Sequence, residues 1–281
     1  MKKIITVIGL GLIGGSICKA LCQKHTVFGL DNSKQVLQQA QKNQCIAGVG
    51  NLENADVVIV ATPPKAVLST IAAVVPSMKI GAVIADVCGV KAVFYDEINR
   101  PESELAQTLK KRNITYVGCH PMAGKEKFGF EHSDGGLFAG KDFIIAAEQN
   151  INAEAVQTIE ALARDMGFAK ITKCTPQHHD LVIAYTSQLA HIVSSCYVKS
   201  KTLPLVDGYC GGSFQDMTRV ATLDKEMWAD LFLLNQKNIV SETQSLINNL
   251  SNFLDALKSG DKQKITQSFA DKAEMTATDG L

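Results

Sequence analysis

The sequence predicts an α/β chain: a doubly wound, mostly parallel sheet over residues 1–174, then an all-helical domain over 175–281. Three observations predict it. Strand-like and helix-like patterns alternate to about residue 173, the mark of a doubly wound sheet. A glycine-rich turn joins the first strand to the first helix. After Cys174 no strand pattern returns.

The first strand is the β-branched run Ile4-Ile5-Thr6-Val7-Ile8. It leads into Gly9-Leu10-Gly11-Leu12-Ile13-Gly14, a Gly-x-Gly-x-x-Gly pattern, and then into a helix whose apolar face is Ile13, Ile17, Ala20 and Leu21. Each glycine has a task. Gly9 makes the tight turn, Gly11 lets backbone N–H groups approach a pyrophosphate, and Gly14 lets the helix pack on the strand. The helix start at Leu12 and Ile13 offers unpaired N–H groups and a positive dipole end to phosphates. Residues 26–30 form a second strand ending in Asp31, close to the spacing of about 20 residues for the acid that holds an adenosine ribose. Strand, glycines, helix, strand and acid in this order read as a Rossmann-type dinucleotide site. A carboxylate at Asp31 accepts from both ribose hydroxyls and repels a 2′-phosphate, so the cofactor reading is NAD rather than NADP.

The sheet continues in order. Residues 34–42 are helical, and 55–62 form an apolar run of strand length, as a strand buried on both faces requires. It stops at Thr62-Pro63-Pro64, since proline continues neither a helix nor a central strand. A helix over 66–75, a strand over 81–87, a helix over 102–112, and strands over 114–118 and 143–147 follow. A helix over 153–166 and a short strand over 169–173 complete the pattern. Ligands of such sheets lie beyond the carboxyl ends of the strands. The residues to watch are therefore 9–14, Asp31, Thr62 and Pro63, 86–91 and 120–124.

Thr175-Pro176 is an N-cap followed by proline at the first helical position. One long helix is expected over 177–199, a loop over 203–214, and helices over 215–221, 228–257 and 261–275. Helices this rich in apolar residues, in a domain of roughly 100 residues, bury limited core alone, which predicts a homodimer.

Composition narrows the function. Lysine plus arginine and aspartate plus glutamate both number 28, so the 281-residue chain carries no basic excess for nucleic acid or an acidic membrane. The only N-terminal apolar run is short and broken by glycine, which is neither a signal peptide nor a span, and the expected compartment is the cytoplasm. Eight irregularly spaced cysteines, without a Cys-x-x-Cys pair, read as small buried residues rather than a zinc site or disulfide framework.

His120, in Gly118-Cys119-His120-Pro121-Met122-Ala123-Gly124, follows a strand on the cofactor side. A neutral imidazole there can take a proton, with an ionisation expected at about 6 to 7. Arg219 is a candidate fork for a carboxylate. His191 stands one turn beyond Gln188 on the long helix, and a lone histidine on such a face is more often a core residue than a ligand. His178-His179 reads as structural.

Taken together, these stretches resemble the prephenate/arogenate dehydrogenase family of tyrosine biosynthesis. The resemblance rests on residues 7–16, Ala61-Thr62-Pro63, 86–91, His120-Pro121-Met122-Ala123-Gly124, 186–191, and Asp216-Met217-Thr218-Arg219 with Glu226-Met227-Trp228. It implies NAD-dependent oxidative decarboxylation of prephenate, or of arogenate, with His120 as base, His191 and Gln188 at the substrate, and Arg219 on a carboxylate. The family commonly has serine where Gly89 stands, histidine at Gln188 and arginine at Gln215. The first two departures change the hydrogen bonds offered to substrate. The third removes a cation, for which Lys125 is the expected replacement, with Glu126 the expected partner of Arg219. Two other readings compete. A β-hydroxyacid dehydrogenase usually carries a catalytic lysine on the long helix, where this chain has Gln188 and His191. A non-enzymatic NAD sensor would not need His120 and Arg219 together.

Overall fold

The computed structural model describes residues 2–125 and 127–269. Its strands are β1 (Ile4–Ile8), β2 (Thr26–Leu30), β3 (Gly48–Val49), β4 (Val57–Val60), β5 (Val83–Asp86), β6 (Thr115–Pro121), β7 (Asp142–Ala146) and β8 (Lys170–Cys174). They form one sheet in the order β3-β2-β1-β4-β5-β6-β7-β8. All neighbours run parallel except β6 and β7, whose register pairs His120 with Ile144 in antiparallel sense. The strand order reverses between β1 and β4, which opens the crevice where such sheets bind ligands.

The central strands form because both of their faces can be covered. Every residue of β4 and β5 is buried. Val7, Ile59, Ala85 and Val117 face one core with α1 (Leu12–Leu21) and α6 (Ala153–Asp165). Val58, Val60, Ile84 and Tyr116 face the other, with α3 (Val67–Val74), α4 (Ala92–Ile98) and α5 (Glu104–Lys111). This alternation at period 2, apolar on both sides, is why these strands read as continuous hydrophobic runs. The helix α2 (Lys34–Lys42) starts at Ser33, whose hydroxyl accepts from Val36 N.

Beyond β8 the chain is helical: α7 (Pro176–Ile183), α8 (Ala190–Tyr197), α9 (Gly212–Arg219), α10 (Lys225–Leu234), α11 (Gln236–Ser259) and α12 (Lys262–Gln267). The single helix expected over 177–199 is instead α7 and α8 joined by a π-helical stretch, Ala184–Leu189. The helix expected over 228–257 breaks at Asn235 (φ −120°), whose side chain donates to Asp180 O and Gln188 Oε1. The last expected helix ends at Gln267, and its part over 270–275 lies outside the described residues. Two further elements, β3 and α4, had no counterpart in the sequence reading.

By packing, the chain divides into Met1–Asn235 and Gln236–Leu281. The first unit therefore holds the sheet together with α7 to α10, and Leu231 of α10 belongs to the same core as Val60 and Ile84. In the second unit α11 exposes Val240, Ile247, Leu250, Leu254 and Leu257. No helix among the described residues is long and apolar enough to cross a membrane. All eight cysteines are free. Cys18, Cys45, Cys88 and Cys119 are buried as expected, while Cys196 and Cys210 are exposed.

The glycine turn behaves as its pattern demands. Gly9 has φ +85°, and a Cβ there would meet Ala61 O at 2.6 Å. A Cβ on Gly14 would stand 1.8 Å from Gly9 O, whereas one on Gly11 would meet nothing within 4 Å. Gly14→Ala must therefore push α1 off β1, with an expected loss of about 3 kcal/mol in a denaturant melt. Gly11→Ala keeps the native melt but occupies the space a pyrophosphate needs, so dinucleotide affinity falls in a fluorescence titration.

Candidate active site

At the carboxyl ends of β1, β2, β4 and β5 lies a cleft of about 510 Å³. Gly9, Gly11, Leu12 and Ile13 line one part of it, with Asp31, Thr62 and Pro63. Gly11 is the N-cap of α1 and has no side chain to satisfy the first N–H groups of the helix, which has no acid in its first turn. Those donors and the open space at Gly11 fit a pyrophosphate. Asp31 is fixed by its neighbours: Oδ2 accepts from Leu10 N at 2.8 Å and Oδ1 from Ser33 N at 2.8 Å. Each oxygen keeps a second lone pair for a ribose hydroxyl. Thr62 Oγ1 is buried without a protein partner, a free hydroxyl in the wall of this cleft. The residues present thus fit a dinucleotide.

His120 stands near the end of β6 and is half-buried. Its Nε2 lies 3.9 Å from where a Cβ on Gly89 would be, and Gly89 lines the cleft. Its Nδ1 faces His179 Nε2 at 3.0 Å, and His179 Nδ1 faces Asp180 Oδ1 at 2.7 Å. Burial above all, then His179 and the Lys91 ammonium, holds the His120 pKa well below the usual histidine value. The expected ionisation at about 6 to 7 is thereby corrected downward, because a buried imidazolium beside a cation is costly. Burial also lowers His179, against the opposing pull of Asp180.

The turn that carries Gly89 is held by a buried ion pair. Lys91 Nζ contacts Asp86 Oδ1, and both side chains are fully buried. Asp86 also accepts from Cys88 N at 2.8 Å and from Tyr116 Oη at 2.6 Å. The bare backbone of Gly118 admits the lysine stem, since a Cβ there would meet Lys91 Cδ at 2.8 Å.

The helical residues sit elsewhere. His191 donates or accepts through Nδ1 at Val220 O, 3.1 Å away, and a carbonyl only accepts, so Nδ1 carries the proton. Its ring lies on Trp228, centroids 4.0 Å apart, and Met227 beside Trp228 lines the cleft. Ser194 donates to Met217 O at 2.7 Å, which packs α8 on α9 and sets Arg219 at the exposed end of that helix. Gln188 is buried in the π-helical stretch; its Oε1 accepts from Asn235, and its Nε2 has no hydrogen-bond partner. Among the described residues, the cleft lining includes neither Arg219, His191, Gln188 nor His120 itself, which stands behind Gly89. Lys125 does line it, with its ammonium 3.3 Å from Asp134 Oδ2 rather than free as a replacement cation. Glu126, the expected partner of Arg219, lies outside the described residues.

The sequence reading missed His179, Asp180 and Lys91. His179, taken there as structural, is bonded to the candidate base, and the adjacent His-Asp pair at a helix start was the available signal. Lys91 lay in a stretch already under suspicion, but nothing in the pattern showed that its charge would be buried.

Comparison with known proteins agrees with this geometry. Residues 14–172 match the prephenate dehydrogenase nucleotide-binding domain, and residues 175–271 match the prephenate dehydrogenase dimerization domain. The chain is 28% identical over 295 residues to a prephenate dehydrogenase of Bacillus subtilis, covering all of this chain and 76% of that one. It is 29% identical to a cyclohexadienyl dehydrogenase of Zymomonas mobilis, covering 95% and 92%. Its fold is similar to that of an Aquifex aeolicus prephenate dehydrogenase crystallised with hydroxyphenyl propionate and NAD+, with TM-score 0.79, 23% identity and coverage of 95% and 94%. With both domains matched in order along the same chain, the protein belongs to the prephenate dehydrogenase family.

Proposed function

We propose that this chain oxidatively decarboxylates prephenate to 4-hydroxyphenylpyruvate with NAD, in tyrosine biosynthesis, and that His120 is the base. One arrangement carries the reading: a histidine kept neutral by burial, its Cε1–Nε2 edge beside Gly89 in the wall of the cleft that Gly9 and Gly11 also line. Bound NAD supplies the hydride acceptor. His120 Nε2 takes the proton of the ring hydroxyl as the carbinol carbon loses hydride. The ring then loses carbon dioxide, and the electron pair of the broken C–C bond aromatises it to a phenolate, which takes back the proton held on His120 to give the phenol. The protein's work is alignment of the hydroxyl-bearing carbon and the base, and capture of the carboxylates. Arg219 is the carboxylate clamp in this reading, with His191, Gln188 and Lys125 on the substrate side. The assay is direct: protein, prephenate and NAD should yield NADH and 4-hydroxyphenylpyruvate, and their absence would overturn the reading.

Arogenate is the second substrate to test. Its side chain bears an ammonium, and Asp224 places a carboxylate in the cleft lining, with Oδ1 accepting from Met227 N at 3.0 Å. A kcat/KM for arogenate above that for prephenate would favour it. The eight unpaired cysteines suit the reducing cytoplasm, where we place the reaction.

The Asp31 carboxylate supports NAD over NADP. Asp31→Ser with Asn32→Arg should move the kcat/KM preference toward NADP by 10-fold or more, on the order of one lost charge repulsion. Wild-type protein that uses both cofactors equally would contradict this role.

His120→Asn should cut kcat by about 10²–10⁴-fold with KM nearly unchanged, because the base acts in the transition state. Arg219→Gln should instead raise KM by roughly 10- to 100-fold, from loss of a charge-assisted pair. The sign of the pH effect follows from burial. A lowered pKa keeps His120 unprotonated as pH falls, so the acid limb of kcat/KM should lie below about 6.5 and vanish in His120→Asn.

We infer a homodimer through the helical domain. The five exposed apolar residues of α11 recur at spacings of three, four and seven, the stripe of a helix made to pack on another. Light scattering should give twice 30.3 kDa, and Leu254→Glu should shift it toward 30.3 kDa.

A further inference from the structure

We infer that Asp180 and His179 set the tautomer of the base: Asp180 holds the His179 proton on Nδ1, His179 holds the His120 proton on Nδ1, and His120 Nε2 is left bare toward the cleft. The inference rests on the reading of His120 as base.

The chain of constraints starts at a carboxylate, which can only accept. Asp180 Oδ1 accepts from Lys91 N at 2.8 Å and from His179 Nδ1 at 2.7 Å, and Oδ2 accepts from Ala92 N at 2.8 Å. The two backbone donors fix the carboxylate at the start of α4, so it cannot swing away from His179. His179 Nδ1 therefore carries the proton. In a neutral ring the other nitrogen is an acceptor. That nitrogen, Nε2, is 3.0 Å from His120 Nδ1. Two bare nitrogens at this distance would set lone pair against lone pair, so the proton between them belongs to His120 Nδ1. A neutral His120 then has its lone pair on Nε2, which with Cε1 forms the ring edge beside Gly89.

The charged groups around the pair fit this assignment. Lys91 from the turn after β5 disfavours an imidazolium on both rings. Asp180 from α7 and Asp86 from β5 oppose it at His179. Both histidines are thus neutral in the resting protein, as the tautomer argument requires. When His120 Nε2 takes the hydroxyl proton, its Nδ1–H still donates to His179, and the new positive charge lies along a line that ends at the Asp180 carboxylate. His179 and Asp180 are positioning residues: they hold the base and its proton, and the hydroxyl proton goes to His120.

Two measurements test this. Nitrogen-15 spectra of the imidazoles in wild-type protein read the tautomers without catalysis. The expected result is His120 and His179 both protonated on Nδ1 and bare on Nε2; a proton on His120 Nε2 overturns the inference. In turnover, His179→Leu removes the acceptor and should lower kcat by about 10- to 100-fold with KM within about 3-fold, while His179→Gln, whose carbonyl oxygen can accept from Nδ1, recovers most of the loss. Wild-type kcat in His179→Leu also overturns it. If wild-type protein leaves prephenate untouched, the proposed function fails instead, and the spectra still decide the tautomers.

Discussion

The carboxylate of Asp180 is the contact on which the site depends. It caps the two N–H groups that open α4 and holds His179, while the backbone carbonyl of the same residue accepts from Asn235 at 2.8 Å. One residue thus joins a helix behind the sheet, the base at the end of β6, and the break between α10 and α11. Removing the carboxylate would leave Lys91 N, Ala92 N and His179 Nδ1 unpaired, and buried donors typically cost about 1–3 kcal/mol each. This also explains why α7 to α10 pack in one unit with the sheet. The first turn of α7 is part of the wall behind His120, so the helical segment is docked by polar contacts at His179 and Asp180 and by apolar ones at Leu231.

A second constraint lies one layer deeper. Placing an ammonium and a carboxylate together in the core is expensive, and the pair is retained only where its hydrogen bonds are complete. Asp86 meets that condition with Lys91, Tyr116 and Cys88. The return is geometric. Lys91 and Asp86 anchor the two ends of the turn whose middle residues, Val87, Cys88 and Gly89, line the cleft. The charge of Lys91 also bears on His120 and helps to keep it unprotonated. The ion pair therefore shapes the cleft wall and bears on His120 with the same atoms.

What the sequence disclosed and what it hid follow from the range of the forces involved. The glycine turn was legible because two of its glycines answer a contact within a few residues or one strand away: Gly9 against Ala61, Gly14 against Gly9. The buried strands were legible because coverage on both faces leaves an unbroken apolar run. His120 stood out by its place after such a strand. The π-helical stretch was not legible, since no glycine or proline marks it; its buried Gln188 is held by Asn235, 47 positions later. The break at Asn235 has the same origin, as its side chain satisfies Asp180 and Gln188 instead of prolonging a helix. The partner of His179 was not legible because periodicity shows which face of a helix is buried and not which atom waits there.

Gly89 shows how one small residue can set the terms for the base. A Cβ at that position would lie 3.4 Å from Leu231 Cδ2 and 3.9 Å from His120 Nε2, so a serine side chain would fit there and bring its hydroxyl toward the imidazole. Glycine instead leaves that space empty beside the Cε1–Nε2 edge of the ring. Orientation must come from the other side of the ring, where His179 and Asp180 hold Nδ1. With nothing at position 89 to steer the imidazole, the load of positioning falls on the buried side, which is where this chain has placed its most completely bonded carboxylates.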